Sequence, residues 1–225
     1  MSNILLALDT STQTAGMALY DGANVIGESV WMTANHHTIE VAPALQELLH
    51  RCGVTAGDLG AIAVATGPGS FTGLRIGFAV AKGVALAARV PMVGIPTMDI
   101  HAASVPMKDI PLVTVLQAGR GRLAAAWYKP GKTGWEMDVE PELTNIDALA
   151  EKLEIPVVVC GELTISERQT LAKKRKIVQL ATPAQSLRRP GYLAELGWRK
   201  WKTGKLDNVE LLAPTYLRTG DALPV

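Results

Sequence analysis

The chain has 225 residues, 48% of them hydrophobic and 19% charged, with 22 Lys+Arg against 21 Asp+Glu and a formal net charge of +1. Such a composition buries a core and excludes a disordered tail, and the length suits one large domain or two small ones. The near-neutral charge argues against a dedicated nucleic-acid grip, and aromatics at 5% leave few stacking platforms.

Arg75, Lys82 and Arg89 interrupt the greasiest stretch, Gly67 to Ile95, so no run long enough for a membrane helix is expected. The opening MSNILLALDTS lacks a basic segment and a small-residue cleavage site, which argues against a signal peptide. Cys52 and Cys160 form neither C-x-x-C nor a zinc spacing, which fits free thiols in a reducing, cytoplasmic setting.

Short apolar runs open the chain. Ile4 to Leu8 suits a buried strand. Ala15 to Tyr20 follows the polar turn Asp9 to Thr14, and Asp21-Gly22 is a hairpin signal before Val25 to Trp31. Apolar residues at Val41, Ala42, Leu45, Leu48, Leu49 and Cys52 predict a helix over 38–52, ended by Gly53. Ala61 to Ala65 reads as a buried strand, 72–89 as a long helix, Pro91 to Ile95 as a strand and 98–103 as a helix. Two prolines in 104–111 mark a crossover. Domains are therefore expected at 1–104 and 105–225, with the C-terminal tail packing back on the first. The second half restarts as a hairpin, Leu112 to Leu116 and Leu123 to Tyr128. Helices over 145–153 (N-cap Asn145), 166–176 and 192–203 and a strand from Val157 to Cys160 follow. The second half reads as a degraded copy of the first, an internal duplication.

Four constellations carry candidate chemistry. Asp9-Thr10-Ser11-Thr12 places a carboxylate and hydroxyls at a strand end, where they would suit Mg²⁺ and phosphate, though these are also ordinary turn formers. Gly67-Pro68-Gly69-Ser70-Phe71-Thr72-Gly73 precedes a helix and suits an anion or a tight turn capped by Ser70 or Thr72; it is neither a P-loop nor a dinucleotide fingerprint. His36-His37-x-x-Glu40, with His101 elsewhere, is a weak metal candidate, and a Ser70–His triad lacks the nucleophile-elbow spacing. Lys173-Lys174-Arg175-Lys176, with Arg188-Arg189 and Arg199-Lys200, would suit RNA phosphates or a solvated face. In the 72–89 helix, Gly73, Gly77, Ala81, Ala85 and Ala88 form a small-residue stripe that lets another backbone approach, by its own domain or a partner.

Leu5-Leu6-Ala7-Leu8-Asp9-Thr10-Ser11, together with Gly67 to Gly77 (GPGSFTGLRIG) and the tail Leu212-Ala213-Pro214-Thr215-Tyr216-Leu217-Arg218, resembles the bacterial TsaB (YeaZ-like) family, strongly over 1–105 and loosely over 106–210. The resemblance implies an α/β, actin/Hsp70-like fold of two ribonuclease-H-like lobes, with mixed sheets flanked by helices. It implies a non-catalytic paralogue of the TsaD (Kae1-like) subunit, working in the formation of threonylcarbamoyladenosine next to the tRNA anticodon. Implied partners are a TsaD-like catalytic subunit, a TsaE-like ATPase, a second copy of this chain when alone, and tRNA through the complex. No cofactor is implied for the isolated chain; ATP or ADP and Mg²⁺ belong to the full complex.

The resemblance also puts the partner surface on the first two long helices, at Ile39, Ala42, Leu45, Leu49, Phe71, Leu74, Gly77, Phe78 and Ala81. A nucleotide, if bound, would meet Asp9, Thr10, Ser11, Gly67, Gly69 and Ser70. The paralogue's two-histidine metal string corresponds here to Thr97-Met98-Asp99-Ile100-His101, with one histidine replaced by Thr97. The family's D-A-R hairpin carries Gln117 in place of its acid. No catalytic or metal residue is expected. The alternatives are an actin-like ATPase or kinase using Asp9 and the Gly67–Gly73 loop, and a metallo-endopeptidase, against which the replacement at Thr97 counts.

Overall fold

A computed structural model describes residues 3–33 and 36–217; Arg218, the last residue of the tail motif, lies outside them. The chain divides into two compact units, Met1–Ile100 with Arg188–Thr215, and His101–Leu187 with Tyr216–Val225.

In the first unit, β1 (Ile4–Asp9), β2 (Thr14–Tyr20) and β3 (Val25–Met32) form the expected meander, followed by α1 (His37–Arg51), β4 (Leu59–Ala65), α2 (Phe71–Ala88) and β5 (Met92–Ile95). The sheet order is β3-β2-β1-β4-β5. β1 pairs antiparallel with β2 and parallel with β4, which pairs parallel with β5. Alternation along β1 divides its side chains between two cores. Leu6 and Leu8 join Val41, Leu45, Phe78 and Ala81 of α1 and α2. Leu5 and Ala7 face Leu193 and Ala194 of α6 (Pro190–Lys202).

α3 (Thr97–Ala103) runs across the division. The second unit contains β6 (Leu112–Gln117), β7 (Leu123–Pro130), β8 (Trp135–Thr144), α4 (Ile146–Lys152), β9 (Val157–Gly161), α5 (Ile165–Ala172) and β10 (Val178–Leu180). Its sheet order, β10-β9-β6-β7-β8, is the first sheet's order with each strand replaced by its counterpart five places later. Helices also recur in the same places, between the third and fourth strands and between the fourth and fifth. Asn145 caps α4 by accepting from the Ala148 N–H at 2.9 Å.

Two sequence expectations need correction. The 192–203 helix, placed in the second domain, is α6 and packs on β1, β2 and β4 of the first unit. The reason is apolar: Leu193, Ala194 and the partly buried Trp198 and Trp201 cover the sheet face that α1 and α2 leave open. β8 was not anticipated, although Trp-Glu-Met-Asp-Val alternates with a strand period. It is an edge strand, and its acidic outward residues and Pro141 suit an edge that must not pair further.

The segment after α6 lies along the other edge, β5. The Asp207 N–H donates to the Met92 carbonyl at 3.3 Å, and the Asp207 carboxylate accepts from the Gly94 N–H at 2.8 Å and Lys200 Nζ at 2.7 Å. The Thr215 N–H reaches the Thr66 carbonyl at 2.7 Å. By length and composition alone the 18-residue α2 could cross a bilayer. Its buried face, with Leu74, Phe78, Ala81 and Ala85, belongs to the first unit's interior.

The small-residue stripe on α2 has a local cause. A Cβ at Gly73 would overlap the Thr10 carbonyl, and one at Gly77 the Thr10 hydroxyl, so the approaching backbone is the chain's own β1–β2 turn. At Gly83, on the same helix, an added Cβ meets open space. Gly73→Ala should therefore destabilise the protein by about 1–3 kcal/mol through overpacking. Gly83→Ala should stabilise it by about 0.5–1 kcal/mol through helix propensity. Urea unfolding of the two variants checks both signs.

Candidate functional site

The β1–β2 turn, the Gly67–Gly73 loop and the segment before α6 meet in the first unit. Asp9 ends β1 and is buried. Its Oδ1 accepts from the Ser11 N–H at 2.9 Å and from the Ser11 hydroxyl. Its Oδ2 accepts from Arg188 Nε, within a buried ion pair. The same guanidinium donates to Thr12 Oγ1 at 2.8 Å and to the Thr14 carbonyl at 3.1 Å. A Mg²⁺ held by one or two carboxylates also needs water or phosphate oxygens around it. Here a guanidinium already neutralises the carboxylate, and both charged side chains are sealed from solvent. The turn therefore does not fit a divalent cation.

The glycine loop is equally engaged. The Ser70 N–H donates to the Ser11 carbonyl at 2.6 Å, and a Cβ at Gly69 would overlap that carbonyl. Thr10 Oγ1 donates to the Gly73 carbonyl at 2.7 Å. Ser70 is the N-cap of α2 and accepts from the Gly73 N–H at 3.2 Å. Thr97 holds the same loop: its hydroxyl accepts from the Gly67 N–H at 3.0 Å, and its own N–H donates to the Gly67 carbonyl at 2.8 Å. Of the six candidate nucleotide residues, Thr10, Ser11, Gly69 and Ser70 join the two loops, while Asp9 is held by Ser11 and Arg188 and Gly67 by Thr97.

The other candidates separate. His36 Nδ1 and Glu40 Oε1 stand 3.8 Å apart, and no cluster of three His, Cys, Asp or Glu suited to a metal occurs among the described residues. A hydrogen bond from Trp31 Nε1 at 2.9 Å helps hold the Glu40 carboxyl below its usual range. His37 is buried with Nε2 3.0 Å from the Thr12 carbonyl, a satisfied interior histidine. His101 is fully buried. In the second unit the Gln117 amide donates to Glu167 Oε2 at 2.8 Å and to the Glu162 carbonyl at 3.1 Å, while its N–H meets Glu162 Oε2 at 3.3 Å. An aspartate at 117 would add a third carboxylate to this group, whereas the amide supplies a donor. Burial pushes the Cys160 thiol up, against the smaller pull of its hydrogen bonds with Ser186 and Ser104.

The helix residues assigned to a partner divide by face. Leu45, Leu74, Gly77, Phe78 and Ala81 point into the first unit's core, and Leu49 packs against it. A large side chain at Gly77 or Ala81 would disturb the fold, not a partner alone. Ala42 is exposed, as are Ile39 at 69% and Phe71 at 53%. Sequence reasoning missed the outward Leu86 at 81%, and Met32 at 76% at the end of β3. Along α2, Phe71, Arg75, Ala79 and Leu86 share the solvent stripe at helical spacing, and the Arg75 guanidinium lies 3.7 Å over the Phe71 ring.

Comparison with known proteins agrees with this geometry. Residues 31–222 match the family model of TsaD, tRNA N6-adenosine threonylcarbamoyltransferase. The tRNA threonylcarbamoyladenosine biosynthesis protein TsaB of Bacillus subtilis (strain 168) is 33% identical over 228 residues, 97% of this chain and 95% of the relative. The chain belongs to the TsaB family. Its fold is shared with YeaZ from Pseudomonas aeruginosa, with a TM-score of 0.76 at 22% identity, covering 96% of this chain and 100% of that one. Ethanolamine utilization protein EutJ from Carboxydothermus hydrogenoformans gives a TM-score of 0.54 at 15% identity, covering 85% and 89%. The fold is the expected actin-like α/β architecture, two mixed sheets flanked by helices.

Arg188 was read from sequence only as one of a basic pair. Its burial follows from position, two residues before the helix that returns to the first unit. Arg188→Gln should leave the Asp9 charge buried and unpaired and cost about 3–5 kcal/mol. The Asp9→Asn/Arg188→Gln double variant, which removes both charges, should lose clearly less. Chemical denaturation of the two singles and the double, read as a thermodynamic cycle, measures the coupling.

Proposed function

We propose that the chain is a non-catalytic subunit of the machinery that forms threonylcarbamoyladenosine in tRNA, and that it binds and stabilises a TsaD-type catalytic subunit. Membership of the TsaB family supports the pathway. The observation that carries the binding role is the outer stripe of α1 and α2. Ile39, Phe71 and Leu86 stand in solvent on helices whose other faces are already buried. Large apolar side chains grouped on one helical layer favour association. A stable complex buries upwards of about 1,000 Å² in total.

The internal engagement of Asp9 and of the glycine loop supports a binding role over the actin-like ATPase or kinase reading. That alternative needs a carboxylate and amides open to a metal-bound nucleotide. Arg75, on the Phe71 ring, sits where it can meet an acidic rim.

Coexpression with the TsaD homologue of the same organism tests the reading. The triple variant Ile39→Glu, Phe71→Glu, Leu86→Glu should keep its circular dichroism and thermal midpoint, because all three side chains are exposed. It should lose copurification by at least tenfold, about 1.4 kcal/mol or more in binding. Unchanged copurification would remove α1 and α2 as the interface.

A further inference from the structure

The basic residues read from the sequence do not form one surface. Arg188 is buried on Asp9. Arg189 pairs with Glu28 at 2.5 Å, and Lys200 with Asp207 at 2.7 Å. The run from Lys173 to Lys176 is different. It forms the turn between α5 and β10, and Lys173, Arg175 and Lys176 are exposed. Among the described residues, no carboxylate lies within 4.0 Å of any of these three.

Strand order gathers further cations at the same end of the second sheet. β6, β9 and β10 run parallel, so their N-terminal ends coincide. Main-chain bonds link the three entering segments, from the Val157 N–H to the Ile177 carbonyl at 2.8 Å and from the Val158 N–H to the Pro111 carbonyl at 2.9 Å. Lys174 Nζ crosses to the Leu153 carbonyl at 3.2 Å, and Lys108 Nζ is held on Gln179 Oε1 at 2.7 Å. The segments 106–111, 153–156 and 173–177 together carry five cations and two carboxylates, Asp109 and Glu154. The C-terminal dipole of α5 favours a cation in its last turn. It does not account for Lys108, which arrives from a different connection.

We propose that this end of the second unit is an RNA-backbone surface, on which Lys108 and the 173–176 turn contact phosphates. The proposal rests on the reading of the chain as a tRNA-modification subunit and adds a direct contact to it. Charge complementarity favours RNA over an acidic protein. A protein interface needs an apolar core behind its polar rim, and among the described residues the exposed large hydrophobic side chains of these segments are Met107 and Ile155. No Phe, Tyr or Trp lies in the three segments, so bases have nothing to stack on. Binding is therefore electrostatic, indifferent to sequence and steep in salt. With a whole-chain charge of only +1, it serves to orient an RNA already held by a larger assembly.

Fluorescence anisotropy of the full chain with a labelled RNA stem-loop, across a salt series, tests the proposal. The expected result is measurable binding at low salt, equal for a scrambled stem-loop. The triple variant Lys173→Ala, Arg175→Ala, Lys176→Ala should bind about tenfold more weakly at low salt. It should also lower the log–log salt slope by about 2, near 0.7 for each lost phosphate contact. Absence of RNA binding by the full chain, or an unchanged slope in the variant, overturns the proposal. So does a variant that keeps RNA but loses copurification with the TsaD homologue, which would make the surface a protein contact. The Ile39/Phe71/Leu86 variant separates the two ideas. If it keeps RNA affinity while the wild type copurifies with its partner, the docking and RNA faces are distinct. If the wild type copurifies with its partner but binds no RNA, only the RNA proposal fails.

Discussion

The first unit is organised around a buried charge that cannot be left alone. Asp9 lies at the end of β1, in the middle of the sheet, where an unpaired carboxylate would be expensive. Its counter-ion comes from residue 188, on the far side of an entire second unit in the sequence. Once Arg188 is seated, α6 begins two residues later with its N-terminus fixed on the sheet. Arg189 holds Glu28, and the Gly191 N–H donates to the same carboxylate at 2.8 Å. That anchoring places Leu193 and Ala194 on the face opposite α1 and α2. An interior of two layers around one sheet follows, and the unit is complete only when the chain returns.

The same economy of space explains α2. Its small residues face the β1–β2 turn because the turn lies too close for a larger side chain. Its large residues are split, Leu74 and Phe78 inward and Phe71 and Leu86 outward. A helix that packs so tightly on one side is a rigid base for what it exposes on the other. Rigidity in a docking element lowers the entropy lost on association. The close packing of Gly73 and Gly77 and the exposure of Phe71 are thus two aspects of one arrangement: the first sets the position of the second.

Periodicity and turn residues disclosed most of the elements, because strand alternation and helical stripes are local properties. The meander, α1, α2 and the second hairpin are visible that way. α6 is also visible as a helix, but its destination is not, since nothing local to 190–202 says which sheet face lacks a cover. β10 is too short, at three residues, to show a period. β8 did show one, and its acidic composition and Pro141 obscured it. At the candidate site the residues grouped by sequence do converge. Their task was not legible, because it depends on Arg188 from a distant segment and on how closely Gly69 and Gly73 approach Ser11 and Thr10. The partner surface was placed on α1 and α2 by resemblance, and helical spacing marks their apolar residues without telling an inner face from an outer one. Burial makes that distinction: Ile39, Ala42 and Phe71 are exposed, whereas Leu45, Leu74, Gly77, Phe78 and Ala81 are buried in the first unit.

The duplicated topology makes a further comparison possible. Asp9 ends β1, and Gln117 ends β6, its counterpart in the second sheet. A fold built twice offers two such strand ends, each able to present a carboxylate. Neither does so here, and the physical routes differ. In the first unit the acid persists but is matched by an internal guanidinium. In the second an amide stands in its place, donating to the Glu167 carboxylate, which an acid would repel, and to the Glu162 carbonyl. Charge neutralisation at one strand end and an amide donor at the other leave two strand termini whose polar side chains are engaged within their own unit. Among the described residues, large apolar side chains stand exposed on α1 and α2, and cations at the turn that leads into β10.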